Sequence, residues 1–281
     1  MKNILVLTDF SEVADNAAEY AVKLAAELKA NITLFHAFNT PEMVLALPGD
    51  IDDNYEAAEE ACLFKLDVLI KKLHIILKEE PVNKLQLNCL VRKGHVKDCV
   101  KTILADQKID LIVMGARLYS EFPGFLFGTN IKGVVDIVPC PILLIHEQVI
   151  FRPIRHILYV TDLRYCDIAA LTQLIDFATG LRSDISMLHA CAGGLPGLLD
   201  KDASDLFRDT IFSRVNFKHL KYIHADDAGI QSVIYRTIER QEMELLAVAN
   251  KKYHFLNHLF RKNPAKDTAT YAHIPVLIIP G

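Results

Sequence analysis

The sequence predicts an α/β protein built from two doubly wound domains arranged in tandem. Three observations predict it. The segment ILVLTDF at 4–10 returns as ILYVTDL at 157–163, an interval of 153 residues, and self-similarity at a fixed interval marks a repeated unit. Within each copy, short Val/Ile/Leu-rich runs alternate with stretches of helical period, the pattern of strand–helix–strand units with right-handed crossovers. Runs such as LIVM at 111–114 and ILLI at 142–145 are apolar at every position. That suits strands of a parallel sheet covered on both faces.

In the first copy a strand near 3–8 leads into a helix near 11–29, whose Ala, Val and Leu residues recur at helical spacing. A second strand near 31–37 follows. Helix 55–79, strand 85–91, helix 95–107, strand 110–114, helix 129–138 and strand 141–146 complete the unit, giving a mostly parallel five-stranded sheet. The second copy begins at the same interval: RYCDIAALTQLIDFATGL is its first helix, and NITLFHAF and DISMLHAC place His36 and His189 153 residues apart. The ends of the copies match at a smaller interval, since DLIVMGA aligns with ELLAVAN and CPILLIH with IPVLIIP at 134. The missing 19 residues fall between the second and third strands, where the first copy carries NTPEMVLALPGDIDDNYEAAEE. The expected domains are 1–147 and 152–281, two Rossmann-like units joined by a short linker and packed as an intrachain pseudo-dimer. The apolar last strands, PILLIHE and IPVLIIP, would pair with each other and hide both edges. Association of whole chains into a homodimer stays open.

A hydrophobic content of 51% and 23% charged residues exclude a disordered chain. Lys plus Arg number 31 against 35 Asp plus Glu, a net charge of −4 that gives no general attraction to nucleic acid or anionic membrane. Residues 1–147 carry net −6 and residues 148–281 net +2, so an anion site in the first half must be built locally. Asp9 comes too early for a signal peptide, and no run approaches the roughly 20 apolar residues that span a bilayer. The six cysteines (Cys62, Cys89, Cys99, Cys140, Cys166, Cys191) show neither a CxxC pair nor a metal-type spacing. Free thiols of a cytoplasmic protein are expected.

Ligands of open α/β sheets sit beyond the carboxyl ends of the strands, where strand order reverses. Thr8-Asp9 ends the first strand, and Met114-Gly115-Ala116-Arg117-Leu118 ends the fourth. A nine-residue stretch, YSEFPGFLF, then leads to Gly128-Thr129-Asn130. Gly115 would let backbone approach a ligand closely, and Gly128-Thr129 opens a helix whose free N–H groups attract phosphate. Each feature has a plainer reading. Gly128-Thr129 also suits an ordinary helix start, with Thr129 as its cap. Asp9 beside Ser11 suits a cap of the first helix, and Arg117 a solvated loop charge.

In combination, strand–TDFS, strand–MGAR, the nine-residue loop, Gly-Thr and the following PCPILLI resemble the universal stress protein family, and in particular its tandem-domain members. The family's nucleotide-binding signature is Gly, two residues, Gly, nine residues, then Gly followed by Ser or Thr. Gly115, Gly128 and Thr129 fit it, and Leu118 replaces the second glycine. The resemblance covers nearly the whole chain, twice. It implies an adenine nucleotide alpha-hydrolase-like fold and binding of ATP, with magnesium, or of AMP. Thr8 and Asp9 would lie against the nucleoside and Ala37 beside the base. Met114 and Gly115 would approach the ribose, and Arg117, Leu118, Gly128, Thr129 and Asn130 would surround the phosphates. The implied role is regulatory and stress-related, through a protein partner of unknown identity, with at most slow ATP hydrolysis.

Leu at a position requiring positive φ costs roughly 1–2 kcal/mol, about a tenfold loss of affinity. The donors at the Gly128 helix start remain. Binding in the first copy should therefore be weakened rather than abolished. In the second copy the four signature positions become Ala249, Lys252, Lys262 and Asn263, and Pro264, which has no N–H, stands at the position of Asn130. Asp162 survives without partners. Lys251, Lys252, Arg261, Lys262 and Lys266 form either a solvated basic loop or an anion-holding cluster. His254 and His258 lack a third ligand nearby, and His36 and His189 read as structural features of the repeat. No GxSxG, HExxH or GxxxxGK[ST] motif is present, so an enzyme is not expected. The alternative function is a nucleotide-free interaction module or binder of a small apolar ligand, closed by Leu118 and the apolar loop Phe122–Phe127.

Overall fold

The computed structural model describes residues 1–38, 51–78, 85–117, 129–161, 166–189, 215, 217–224, 230–249 and 273–280. The chain divides into two compact units, Met1–Phe151 and Arg152–Gly281. In the first, strands β1 (Asn3–Leu7), β2 (Asn31–Phe38), β3 (Leu87–Lys93), β4 (Leu111–Ala116) and β5 (Ile142–His146) alternate with helices α1 (Glu12–Leu28), α2 (Ile51–Lys78), α3 (Val96–Asp106) and α4 (Thr129–Val135). The strands run parallel in the order β3-β2-β1-β4-β5, so order reverses between β1 and β4. The second unit contains β6 (His156–Thr161), α5 (Cys166–Leu181), β7 (Asp184–His189), β8 (Leu220–His224), α6 (Ile230–Arg240), β9 (Leu245–Ala249) and β10 (Val276–Ile279). Its order, β8-β7-β6-β9-β10, is that of the first.

The duplication extends to single hydrogen bonds. One Asp110 carboxylate oxygen accepts from the backbone N–H groups of Lys2 (2.7 Å) and Asn3 (3.1 Å). Glu244 does the same for Arg155 (3.1 Å) and His156 (2.6 Å). Each clasp satisfies donors at the start of a unit's first strand from the start of its fourth. Both first helices also stop on a left-handed residue, Lys29 (φ 54) and Arg182 (φ 58). The next amide closes back on Ala25 or Ala178 at 3.0 and 2.9 Å, the usual solution for orphan carbonyls at a helix end. Leu87 faces Ile32 and Leu220 faces Ile185, so the third strands correspond at 133. Twenty residues are missing before β8, and one is regained before β9. Asp110→Ala and Glu244→Ala should each destabilise their own unit by about 1–3 kcal/mol through lost charge-assisted bonds, measured as shifted urea midpoints.

Several boundaries differ from the sequence reading; β4, for one, runs two residues further, to Ala116, which pairs with His146 of β5. β3 ends two residues later, because Arg92 and Lys93 keep pairing with Ala37 and Phe38 until Gly94, at φ +132, breaks the strand. α4 stops at Val135 rather than 138. Ile137 bonds back only three residues, to Val134, and Pro139 disfavours helical geometry before it. α2 starts four residues early, at Ile51.

Candidate functional site

β1 is buried from Ile4 to Leu7 and delivers Thr8, only 6% exposed, to the carboxyl edge of the first sheet. Thr8 N–H donates to the Phe35 carbonyl (3.0 Å), continuing the β1–β2 ladder. Its hydroxyl accepts from Phe10 N–H (3.0 Å), and one Asp9 oxygen accepts from Ser11 N–H (3.0 Å). Ser11, not Asp9, caps α1, its hydroxyl accepting from Ala14 N–H. The turn puts Phe10 at φ 63, a left-handed conformation that costs a non-glycine residue roughly 1–2 kcal/mol.

Side chains beneath the turn hold that conformation. The His36 ring donates from Nδ1 to the Thr8 carbonyl (2.8 Å) and lies against the Phe10 ring at 4.4 Å. Lys65 of α2 sits 5.4 Å from the centre of the same Phe10 ring. Burial lowers the pKa of His36, favouring the neutral, donating imidazole. His36 is thus a brace of the β1–α1 turn, a role that the repeat alone did not reveal. The side chain of its counterpart, His189, lies outside the described residues.

Gly115, in β4, also has a packing role that the sequence reading did not include. A Cβ there would lie 2.8 Å from the Val13 carbonyl carbon and oxygen and 2.9 Å from the Ala14 nitrogen. The missing side chain therefore admits the first turn of α1 onto β4. The counterpart in the second unit is Ala249, at the end of β9. On the neighbouring strand His146, 2% exposed, donates from Nδ1 to the Ala116 carbonyl at 2.9 Å. The His146 and Val149 carbonyls both accept from the Asn16 amide, at 2.9 and 3.1 Å. α1, β4 and β5 are locked together next to Gly115.

The carboxyl ends of β1, β2 and β4, with the first turns of α1, α3 and α4, line a half-open cavity of about 550 Å³, a size ordinary for small-ligand sites. Six predicted residues line it: Thr8, Asp9, Ala37, Met114, Gly115 and Arg117. Leu118 and Gly128 lie outside the described residues. Thr129 and Asn130 open α4, their side chains not described, and Ile131 of that helix reaches the wall. The sequence reading missed Ser11, Val13 and Ala14 from the first turn of α1, Phe35 from β2 and Val96 from the start of α3. Gly94-His95, directly after β3, was the available signal for Val96. Asp162, the Phe122–Phe127 loop, Lys251, Lys252, Arg261, Lys262, Asn263, Pro264, Lys266, His254 and His258 also fall outside the described residues.

Cys62, Cys99 and Cys140 are buried free thiols, and burial pushes Cys140 up to about 12, so it is not a nucleophile at neutral pH. Among the described residues, no helix is long and apolar enough to cross a membrane.

The sequence profile of the universal stress protein family matches residues 1–146. A universal stress protein of Synechocystis sp. is 22% identical over 303 aligned positions, covering 99% of both chains. One from Methanocaldococcus jannaschii is 24% identical over 146 positions, covering 52% of this chain and 82% of that protein. The crystal structure of a universal stress protein from Archaeoglobus fulgidus superposes with a TM-score of 0.68 at 16% identity, covering 99% of this chain and 98% of that one. These likenesses agree with a Rossmann-like α/β fold in tandem.

Proposed function

The chain belongs to the universal stress protein family, and from that premise we propose that its first unit binds an adenine nucleotide, ATP with magnesium or AMP, as a regulatory ligand. The observation that carries the reading is the cavity at the strand-order reversal, which gathers Thr8, Asp9, Ala37, Met114, Gly115 and Arg117 from three strand ends. Thr8 and Asp9 hold the nucleoside, and Ala37, which has no bulk, leaves room for the base. Arg117 and the start of α4 receive the phosphates, with α4 N–H groups supplying donors. Magnesium, when bound, offsets the triphosphate charge inside a unit of net −6.

Among the described residues lining the cavity, none pairs a general base with a positioned nucleophile; the proposed role is binding, with slow hydrolysis at most. A nucleotide-bound conformation read by a protein partner is the proposed output. Calorimetric titration with ATP and magnesium should give saturable binding to the folded chain. Leu118→Gly should tighten it about tenfold, the converse of a roughly 1–2 kcal/mol penalty. Absence of heat at millimolar nucleotide in both proteins, with an apolar molecule seen by native mass spectrometry, would reject this reading for the nucleotide-free alternative.

A further inference from the structure

We propose that the outer face of α2 is a self-association surface, on which two copies of this chain pack their α2 helices antiparallel. α2 carries two apolar stripes. Ala58, Cys62, Leu66, Leu69, Leu73 and Leu77 are buried and recur at three- and four-residue spacing, the inward face of a surface helix. Ala57, Ala61, Phe64, Val68 and Ile75 form a second stripe, roughly 140° around the helix at 100° per residue. All five are exposed, Phe64 at 69%, Val68 at 51% and Ile75 at 64%. Among the described residues, four of the six large apolar side chains in solvent lie on this one helix. Isolated exposed apolar residues need no explanation, but a contiguous row of them marks a contact surface.

The arrangement of the row points to a second copy as its occupant. A two-fold contact pairs residue i with j and j with i. Four of the five stripe residues have that symmetry about Leu66: Phe64 and Val68 are equidistant from it, and so are Ala57 and Ile75, while Ala61 falls opposite the stem of Lys71. In antiparallel packing Phe64 meets the partner's Val68 at the centre. Ile75 meets the partner's Ala57 at each end, large against small, as interdigitating ridges require. Charge follows the same rule. Residues 51–63 hold Asp52, Asp53, Glu56, Glu59 and Glu60 and no basic residue, whereas residues 64–78 hold Lys65, Lys71, Lys72 and Lys78 with one acid, Asp67. A parallel contact would set like charges together; the antiparallel one sets acid against base. Glu60 and Lys71 lie on the same flank of the stripe, six residues before and five after Leu66, so each faces its complement twice. Lys71, 72% exposed, already pairs with Asp67 at 2.6 Å and remains within reach of the partner's Glu60.

Sedimentation equilibrium of the full chain tests this. The wild type should show reversible, concentration-dependent dimerisation. Val68→Glu, a change at an exposed site, should weaken it at least about tenfold, with the circular dichroism melting curve unchanged. Glu60→Lys and Lys71→Glu should each weaken it, and the double variant should restore it, because the swapped charges again oppose one another. A wild type that is monomeric at every attainable concentration overturns the proposal. So does a Val68→Glu chain that dimerises as tightly as wild type, or a double variant as weak as the sum of its single changes. Should Val68→Glu unfold, the charge swap decides alone.

Discussion

Gly115→Ala is expected to damage the first unit more than its single added carbon suggests. The new Cβ would meet backbone atoms of Val13 and Ala14 at 2.8–2.9 Å, and backbone, unlike a side-chain tip, cannot swing aside. α1 must lift from β4 or slide along it. Overpacking of this kind costs typically about 1–3 kcal/mol, which a urea denaturation series would resolve. Ser11, Val13 and Ala14 are themselves wall residues of the cavity, so the displacement reshapes the site as well. The variant should lose nucleotide affinity together with stability. If it melts with the wild type and the cavity residues stay in place, the close approach of α1 to β4 is not the reason for glycine at 115.

The second large effect is with pH. Burial drives His146 from 6.5 down to about 4, and His36 is lowered too, chiefly by burial. An unfolded chain holds these histidines near their ordinary value and therefore binds more protons than the native chain between about pH 4 and 6.5. The stability of the neutral, buried ring is complete above pH 6.5 and falls as pH drops toward 4. The slope reaches about 1.4 kcal/mol per pH unit for His146 alone. Chemical denaturation at intervals from pH 7.5 to 4.5 measures it. His146→Leu should be less stable at neutral pH, since the Ala116 carbonyl loses its donor, but its profile should be flatter across this window. Equal slopes for the two proteins would assign the acid sensitivity elsewhere.

Most of the architecture was legible because its signals are local. Period-two and period-3.6 runs identify elements, and a duplicated TDF or TDL strand end identifies copies. The boundaries that moved depend on something beyond period: the φ of Gly94 for β3, and Pro139 downstream for α4. The site divided in the same way. Thr8, Asp9, Met114 and Arg117 were placed on the wall because strand ends are visible in sequence, and Ala37 because the family resemblance implies it. Ser11, Val13 and Ala14 were missed because their presence in the wall depends on how near α1 comes to β4, which is set by a side chain that Gly115 lacks. The glycine was noticed for its approach to a ligand, but its packing against α1 was not. The outer stripe of α2 was obscured for a related reason. Two apolar faces on one helix read in sequence as a single, loosely periodic one.

The paired carboxylate clasps also constrain how the protein is made. Lys2 and Asn3 wait for Asp110, 108 and 107 residues further on, while Arg155 and His156 wait for Glu244, 89 and 88 residues on. During synthesis β1 thus cannot complete its hydrogen bonding until most of its domain has been translated. The shorter stretch between the second and third strands of the second copy brings the same closure sooner, so the later-synthesised half has the lesser wait.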